Sequence, residues 1–216
     1  MRTASNSIVI AVDGTAASGK GTLAKRLARH FSFAHLDSGS LYRLVALSVL
    51  ESGGDPAQAA KAIDLSRIGD DAIRSDRAGK KASEVSAIPE VRAALLQFQR
   101  DFAAEFDAVI DGRDIGTVIC PDATAKLFVD ARPQVRANRR WKELQSLGIP
   151  REEAQILAEL VARDRADRSR PISPMKPALD ADLLDTSDLD IDAAFAAALA
   201  LVSPKVEAAL KARPRG

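Results

Sequence analysis

Five short apolar runs, Ile8–Val12, Phe33–Leu36, Ala108–Ile110, Lys126–Val129 and Leu183–Leu184, stand out against a background of helical spacing. Runs this short and continuous predict strands buried on both faces. Each except the third is followed closely by a helical pattern. Leu41, Leu44, Val45, Leu47 and Leu50 form one apolar face at that spacing, and Val91, Leu95, Phe98 and Phe102 form another. Pro89 suits the first turn of the second of these, because its missing N–H would be unpaired there anyway. Pro133 opens a further helix ending near Gly148, and Pro150 opens the next. Ile191–Leu210 is Ala-rich and amphipathic, with Pro204 marking a kink or a break. Strands alternating with helices predict an α/β fold, a five-stranded parallel sheet with helices on both faces.

Two segments break the rhythm. Residues 53–88 carry few large apolar side chains and read as an excursion from the core. Residues 162–177 place four arginines within eight positions and read as a charged loop, either solvated or clamping an anion. The expected organisation is one domain over 1–216. Its core comprises 7–37, 107–148 and 178–212; the excursion covers about 38–106 and a lid about 149–177.

Composition narrows the classes. The formal charge of +1 argues against a general binder of nucleic acid or anionic membrane, which needs a basic mean field. Cys120 is the sole cysteine, so no internal disulfide or thiolate metal cluster is available and a reducing, cytoplasmic setting is expected. No apolar run reaches 18 residues, so no membrane span is expected.

The chemistry begins at Gly14-Thr15-Ala16-Ala17-Ser18-Gly19-Lys20-Gly21-Thr22, between the first strand and the first helix. Glycines let the backbone wrap closely, so successive N–H groups point at phosphate oxygens; the helix N-terminus adds its dipole and Lys20 a mobile cation. The hydroxyl residue stands one position later than in the common form of this motif, as Thr22, and is read with Asp111 as a metal-side residue. A Gly-Lys-Gly-Thr ending is a feature of nucleoside monophosphate kinases. Asp37-Ser38-Gly39 ends the second strand, at the sheet edge where open α/β folds bind ligands. Ser38 is also suited to capping the next helix. Asp111, ending the third strand beside the phosphate loop, is placed to hold magnesium; Asp13 is placed to reach the metal's waters or to brace the loop. Phosphoryl transfer spreads charge over three equatorial oxygens, and arginine forks suit that task, which gives the cluster at 163–170 a functional reading. His30, His35, Cys120 and Trp141 read as structural.

These segments together resemble the bacterial cytidylate kinases. The resemblance rests on Gly14–Thr22, Leu36–Arg43, Ala82–Arg92, Asp111–Val118 and Arg163 through Asp167 to Arg170, in the family's order. It implies ATP as phosphate donor, magnesium as cofactor, and CMP and dCMP as small-molecule substrates; nothing in the sequence demands an oligomer, so a monomer is expected. Ser38, Ser83, Arg92 and Asp114 would surround the cytosine. Arg43, Arg113 and Arg170 would hold the acceptor phosphate, and Asp167 the ribose hydroxyls. Lys20 and Arg163 would meet the transferring phosphates, Arg139 and Arg140 would lie near the donor, and the adenine would lie against Asp185-Thr186-Ser187. Two departures stand out. The stretch before Ala82 is shorter than the family's, which puts the strictness of cytosine choice in question, and Pro174-Met175 stands where the family has Pro-Leu. The alternatives are a kinase for UMP or another small acceptor, and a nucleotide sensor without turnover; the arginine cluster weighs against the sensor.

Overall fold

The computed structural model describes residues 7–213. Strand β1 (Val9–Gly14) leads into helix α1 (Lys20–Phe31), and β2 (Ala34–Asp37) into α2 (Ser38–Ser52). The excursion then holds α3 (Pro56–Lys61), two 3-10 turns, α4 (Asp76–Val85) and α5 (Pro89–Glu105). Strand β3 (Ala108–Asp111) is followed by a π-helical turn, Ile115–Ile119, and β4 (Ala125–Asp130) by the helices α6 (Pro133–Ser146) and α7 (Glu153–Ser169). The chain closes with β5 (Asp182–Asp185) and α8 (Ile191–Ala212).

The five strands form one parallel sheet in the order β2-β3-β1-β4-β5. Along β1 the side chains alternate between faces. Ile8, Ile10 and Val12 pack with Leu23 and Leu27 of α1 and with Ala194, Ala198, Val202 and Val206 of α8. Val9 and Ala11 pack on the opposite side with Leu41, Val45, Val85, Val91 and Leu95. Both faces are therefore covered, as the continuous apolar runs require. Register aligns the strand ends: Asp37 lies opposite Asp111, and Asp130 opposite Asp185. Asp13, Asp37, Asp111, Asp130 and Asp185 thus line the carboxyl edge of the sheet, one from each strand.

Three expectations need correction. Arg163, Arg165 and Arg168 lie on a helix, since α7 continues to Ser169 and only Arg170 leaves it. Ala and Arg are good helix formers, and Leu160, Asp164 and Asp167 supply a buried face despite their charge. Next, of the two alternatives at Pro204 the break does not occur, since α8 continues through it. By length and composition it is apolar enough to cross a membrane, although its Ala194–Val206 stripe packs on the sheet. Finally, residues 53–88 are folded onto α2: Ile73 packs with Leu44 and Leu47, and Ala60, Ala82 and Val85 join the main core.

Candidate active site

The phosphate loop is built from positions a side chain could not occupy. Gly14 has φ +145°, and a Cβ there would sit 1.9 Å from the Val129 carbonyl oxygen of β4. Gly19 has φ +90° and caps α1 without any side-chain hydrogen bond, leaving the first N–H groups of the helix for an anion. Between them Ala17 holds the left-handed region at φ 58°, a strained conformation fixed by its surroundings. The Thr15 hydroxyl donates to Asp130 at 2.6 Å, and the Ser18 hydroxyl donates to the Thr15 carbonyl at 3.0 Å. Both hydroxyls are buried braces of the loop.

Lys20 opens α1 among Arg113, Arg163, Asp111 and Asp37. Burial, then the charge of Arg113, push its ammonium down to about 7, against the pull of both carboxylates. Asp111 is buried and takes His35 Nε2 at 2.9 Å. Its Oδ2 lies 3.6 Å from where a Cβ on Gly21 would sit. Gly21 therefore faces Asp111, and Thr22, about 100° further round the helix, is exposed and directed away. The expectation of Thr22 as a metal-side hydroxyl is not met by this geometry. Asp13 is a brace: its two oxygens accept the backbone N–H groups of Ile115 and Gly116, each at 2.8 Å. Burial still pushes its carboxyl up to about 7.

Across the cleft from the loop the structure gathers Ser38, Arg43, Arg92, Arg113, Asp114, Asp167 and Arg170. Asp37, not Ser38, caps α2, accepting from the Ser40 N–H and hydroxyl. That frees Ser38, whose hydroxyl donates to the Asp111 carbonyl at 2.8 Å. Gly112 permits this approach, since a Cβ there would meet Ser38 Oγ at 2.5 Å. Arg113 ignores its neighbour Asp114 and donates to Asp167 at 3.0 Å. Asp167, 1% exposed, also takes Arg170. Asp114 takes Arg92, and both are buried. Burial holds the Asp114 carboxyl above its ordinary range, with Arg92 and Arg170 opposing. The Arg92 guanidinium also lies over the Tyr42 ring, 5.7 Å from its centroid, and donates to the Ser86 carbonyl. Ser83 is half-buried on the same turn and accepts the Ser86 hydroxyl at its carbonyl. Arg43 reaches the Ile73 carbonyl at 3.4 Å.

On the lid, Arg163 points its charge toward Arg113, Asp167 and Arg43, and its buried Nε has no hydrogen-bond partner. Burial and these arginines lower its pKa to about 10. Arg139 is spent on the protein. It donates to the Ser18 carbonyl, the Thr186 hydroxyl and carbonyl, and the Leu189 carbonyl. It ties the phosphate loop to the segment after β5 rather than presenting a free guanidinium. Arg140 bonds Asp76 and Glu143. Cys120 is half-buried, its thiol pushed up to about 11 by burial, which suits a packing role.

A family model described as Cytidylate kinase matches residues 10–203. The chain belongs to the cytidylate kinase family. Among relatives of that name, the protein of Nitrobacter winogradskyi is 54% identical, covering 90% of this chain and 95% of its own. That of Cereibacter sphaeroides is 57% identical over 86% of this chain and 90% of its own. That of Bradyrhizobium diazoefficiens is 50% identical over 97% of this chain and 100% of its own. The last alignment leaves no room for a longer excursion, so the short form is shared by cytidylate kinases of this kind. A crystal structure of an uncharacterized protein from Eubacterium ventriosum superposes with a TM-score of 0.56 at 14% identity, covering 91% of this chain and 98% of that one, a likeness of fold.

Two groups near the loop are not marked by the apolar sequence pattern. His35, read as structural, touches Asp111 directly. Arg136 is 2% exposed and joins the phosphate loop to the lid helix. Its signal was the spacing of Arg136, Arg139 and Arg140, which share one side of a helix.

Proposed function

We propose that this protein transfers the γ-phosphoryl group of ATP to CMP and dCMP, giving the corresponding diphosphates. Family membership supports the reaction. The observation that carries the base choice is Asp114, a buried carboxylate paired with Arg92, two residues on from Gly112, which the Ser38 hydroxyl approaches. Cytosine offers an amino donor at position 4 beside acceptors at N3 and O2. A carboxylate accepts from the first, and arginine or serine donates to the others. The acceptor phosphate is already anionic near neutral pH, so no general base is required. The chain positions and neutralises.

In this reading the phosphate loop, Gly14–Thr22, cradles the donor and Lys20 follows charge to the bridging oxygen. Arg43, Arg113 and Arg170 hold the acceptor phosphate, Arg163 meets the transferring group, Ser83 and Arg92 complete the base pocket, and Asp167 takes the ribose hydroxyls. Magnesium fits the donor set. Asp111 stands beside the loop, and no cluster of three His, Cys, Asp or Glu exists among the described residues. Phosphate oxygens and water would supply the remaining positions, as magnesium favours. Asp111 would hold the ion, held in turn by His35, and the bound ion would neutralise charge between the phosphates. The enzyme is further proposed to act as a cytoplasmic monomer.

The test is kcat/KM for CMP, dCMP and UMP in wild type and Asp114→Asn. Opposite a buried carboxylate the uracil O4 leaves two acceptors facing each other, an unmade bond of about 1–3 kcal/mol, or roughly tenfold to a hundredfold. Asp114→Asn is expected to lose CMP activity and narrow the CMP/UMP ratio while ATP affinity holds. An unchanged ratio would mean that Asp114 serves only Arg92.

A further inference from the structure

The α6–α7 hairpin carries its own small core of Ala137, Leu144, Ile156 and Leu160, and Ala16 of the phosphate loop belongs to it. At the base of this core lies an ion pair that the reaction as described above does not use. Arg136 Nη1 lies 2.7 Å from Asp164 Oδ2, with the two side chains 2% and 5% exposed. The same guanidinium donates through Nε to the Ala131 carbonyl at 2.7 Å and through Nη1 to the Ala16 carbonyl at 3.1 Å. One side chain thus fastens the end of β4, the phosphate loop and the lid helix together.

Stability does not account for this pair. A buried ion pair recovers its desolvation only when all remaining lone pairs are bonded, yet Asp164 Oδ1 is buried and unpartnered. Its neighbour in sequence is informative. Arg163 precedes Asp164 on α7, so the two side chains project about 100° apart. Fixing Asp164 toward α6 turns Arg163 toward Arg113, Arg43, Arg170 and the Lys20 ammonium, with Asp167, already shared by Arg113 and Arg170, as the opposing charge. The Nε of Arg163 has no partner to hold it there. Its position against that repulsion is set by the backbone of α7.

We infer that Arg136 and Asp164 are positioning residues that lock the lid helix to the phosphate loop and so hold Arg163 at the transferring phosphoryl group. The inference rests on the role proposed for Arg163. It assigns the pair to the rate of the chemical step, not to acceptor recognition, because neither side chain reaches the Asp114 and Arg92 pocket.

The experiment is a double-mutant cycle in the full-length enzyme. Arg136→Met with Asp164→Leu removes both charges and leaves neither alone in the interior, so the fold is retained. This pair is expected to keep its melting temperature, to leave KM for CMP within about twofold, and to lower kcat by roughly tenfold to a hundredfold. Added to Arg163→Ala, it should lower kcat no further, because its effect passes through Arg163. Wild-type kcat in the apolar pair would overturn the inference, as would a loss that multiplies in full with that of Arg163→Ala. Arg136→Lys keeps the charge but cannot reach Ala16 and Ala131 together. It is expected to show the same split in milder form, and it decides by the same two criteria if the apolar pair does not fold. Should Arg163→Ala itself turn over at the wild-type rate, the role of Arg163 fails; a slow Arg163→Ala with an uncoupled pair refutes only the positioning role.

Discussion

Lys20 is poised to change its proton count when the donor arrives. In the free protein, burial and Arg113 hold it near 7 rather than 10.5. A bound polyphosphate restores the favourable field for the ammonium, so binding at pH 8 takes up a proton. Calorimetry in buffers of different ionisation enthalpy is expected to show that uptake in wild type and its absence in Lys20→Ala. Donor affinity should also fall as pH rises above 7, since neutral lysine must be protonated first. For folding the sign is opposite to that of a paired lysine. Between 7 and 10.5 the unfolded chain holds the proton and the folded chain does not, so this residue makes the free protein gain stability as pH rises. A second residue-scale prediction concerns Gly112. Gly112→Ala places a methyl 2.5 Å from Ser38 Oγ and 2.7 Å from Ile115 Cδ1. It is expected to destabilise by about 1–3 kcal/mol and to raise KM for CMP, with ATP binding unchanged; steady-state kinetics and thermal melts check both.

The π-helical turn after β3 depends on one carboxylate. Asp13→Asn leaves a single oxygen for the N–H groups of Ile115 and Gly116, and the new amide opposes donor to donor. The expected loss is about 1–3 kcal/mol. Because the Asp13 carboxyl is raised from 3.8 to about 7, the folded state binds the extra proton between those values, and its stabilising effect disappears as pH rises through 7. Asp13→Asn should remove that slope, read as melting temperature at pH 5 and pH 8. Elements of this kind mark where sequence reading succeeds and fails. The strands were legible because burial on both faces makes apolar runs continuous. The phosphate loop was legible because close backbone approach admits only glycine at Gly14. The helix after Pro150 was legible, but its second half was not, because its buried positions there are Asp164 and Asp167, which no apolar period reveals. Arg139 was read as a donor contact because a sequence does not show which oxygens a guanidinium already holds. The Asp111–Asp114 motif was visible, but its crossed pairing, Arg113 with Asp167 and Asp114 with Arg92, comes only from bringing α5 and α7 together.

Across the whole molecule, the excursion and the lid hairpin meet at Asp76 of α4. Its oxygens take Arg140 of α6 at 2.6 Å and Arg151, just before α7, at 3.1 Å. These groups are partly exposed, so the bridge is worth at most about 1 kcal/mol and weakens with salt. Asp76→Asn is expected to leave the melting temperature nearly unchanged. It should speed hydrogen exchange in α4 and at the start of α7 in the free protein, and not with both nucleotides bound. Equal rates in both states would leave the bridge without a part in closure. The crossed pairs of the cleft have a wider consequence. Arg113 and Arg170 already share Asp167, and Arg92 already has Asp114. A bare inorganic anion that captured these arginines would strand two buried carboxylates. A ligand that brings an anion for the arginines together with hydroxyl and amino hydrogens for the carboxylates leaves nothing unpaired. The paired cleft therefore works as a filter before any chemistry: sulfate and free phosphate are expected to compete weakly with CMP for these three arginines, which inhibition kinetics with each anion would check.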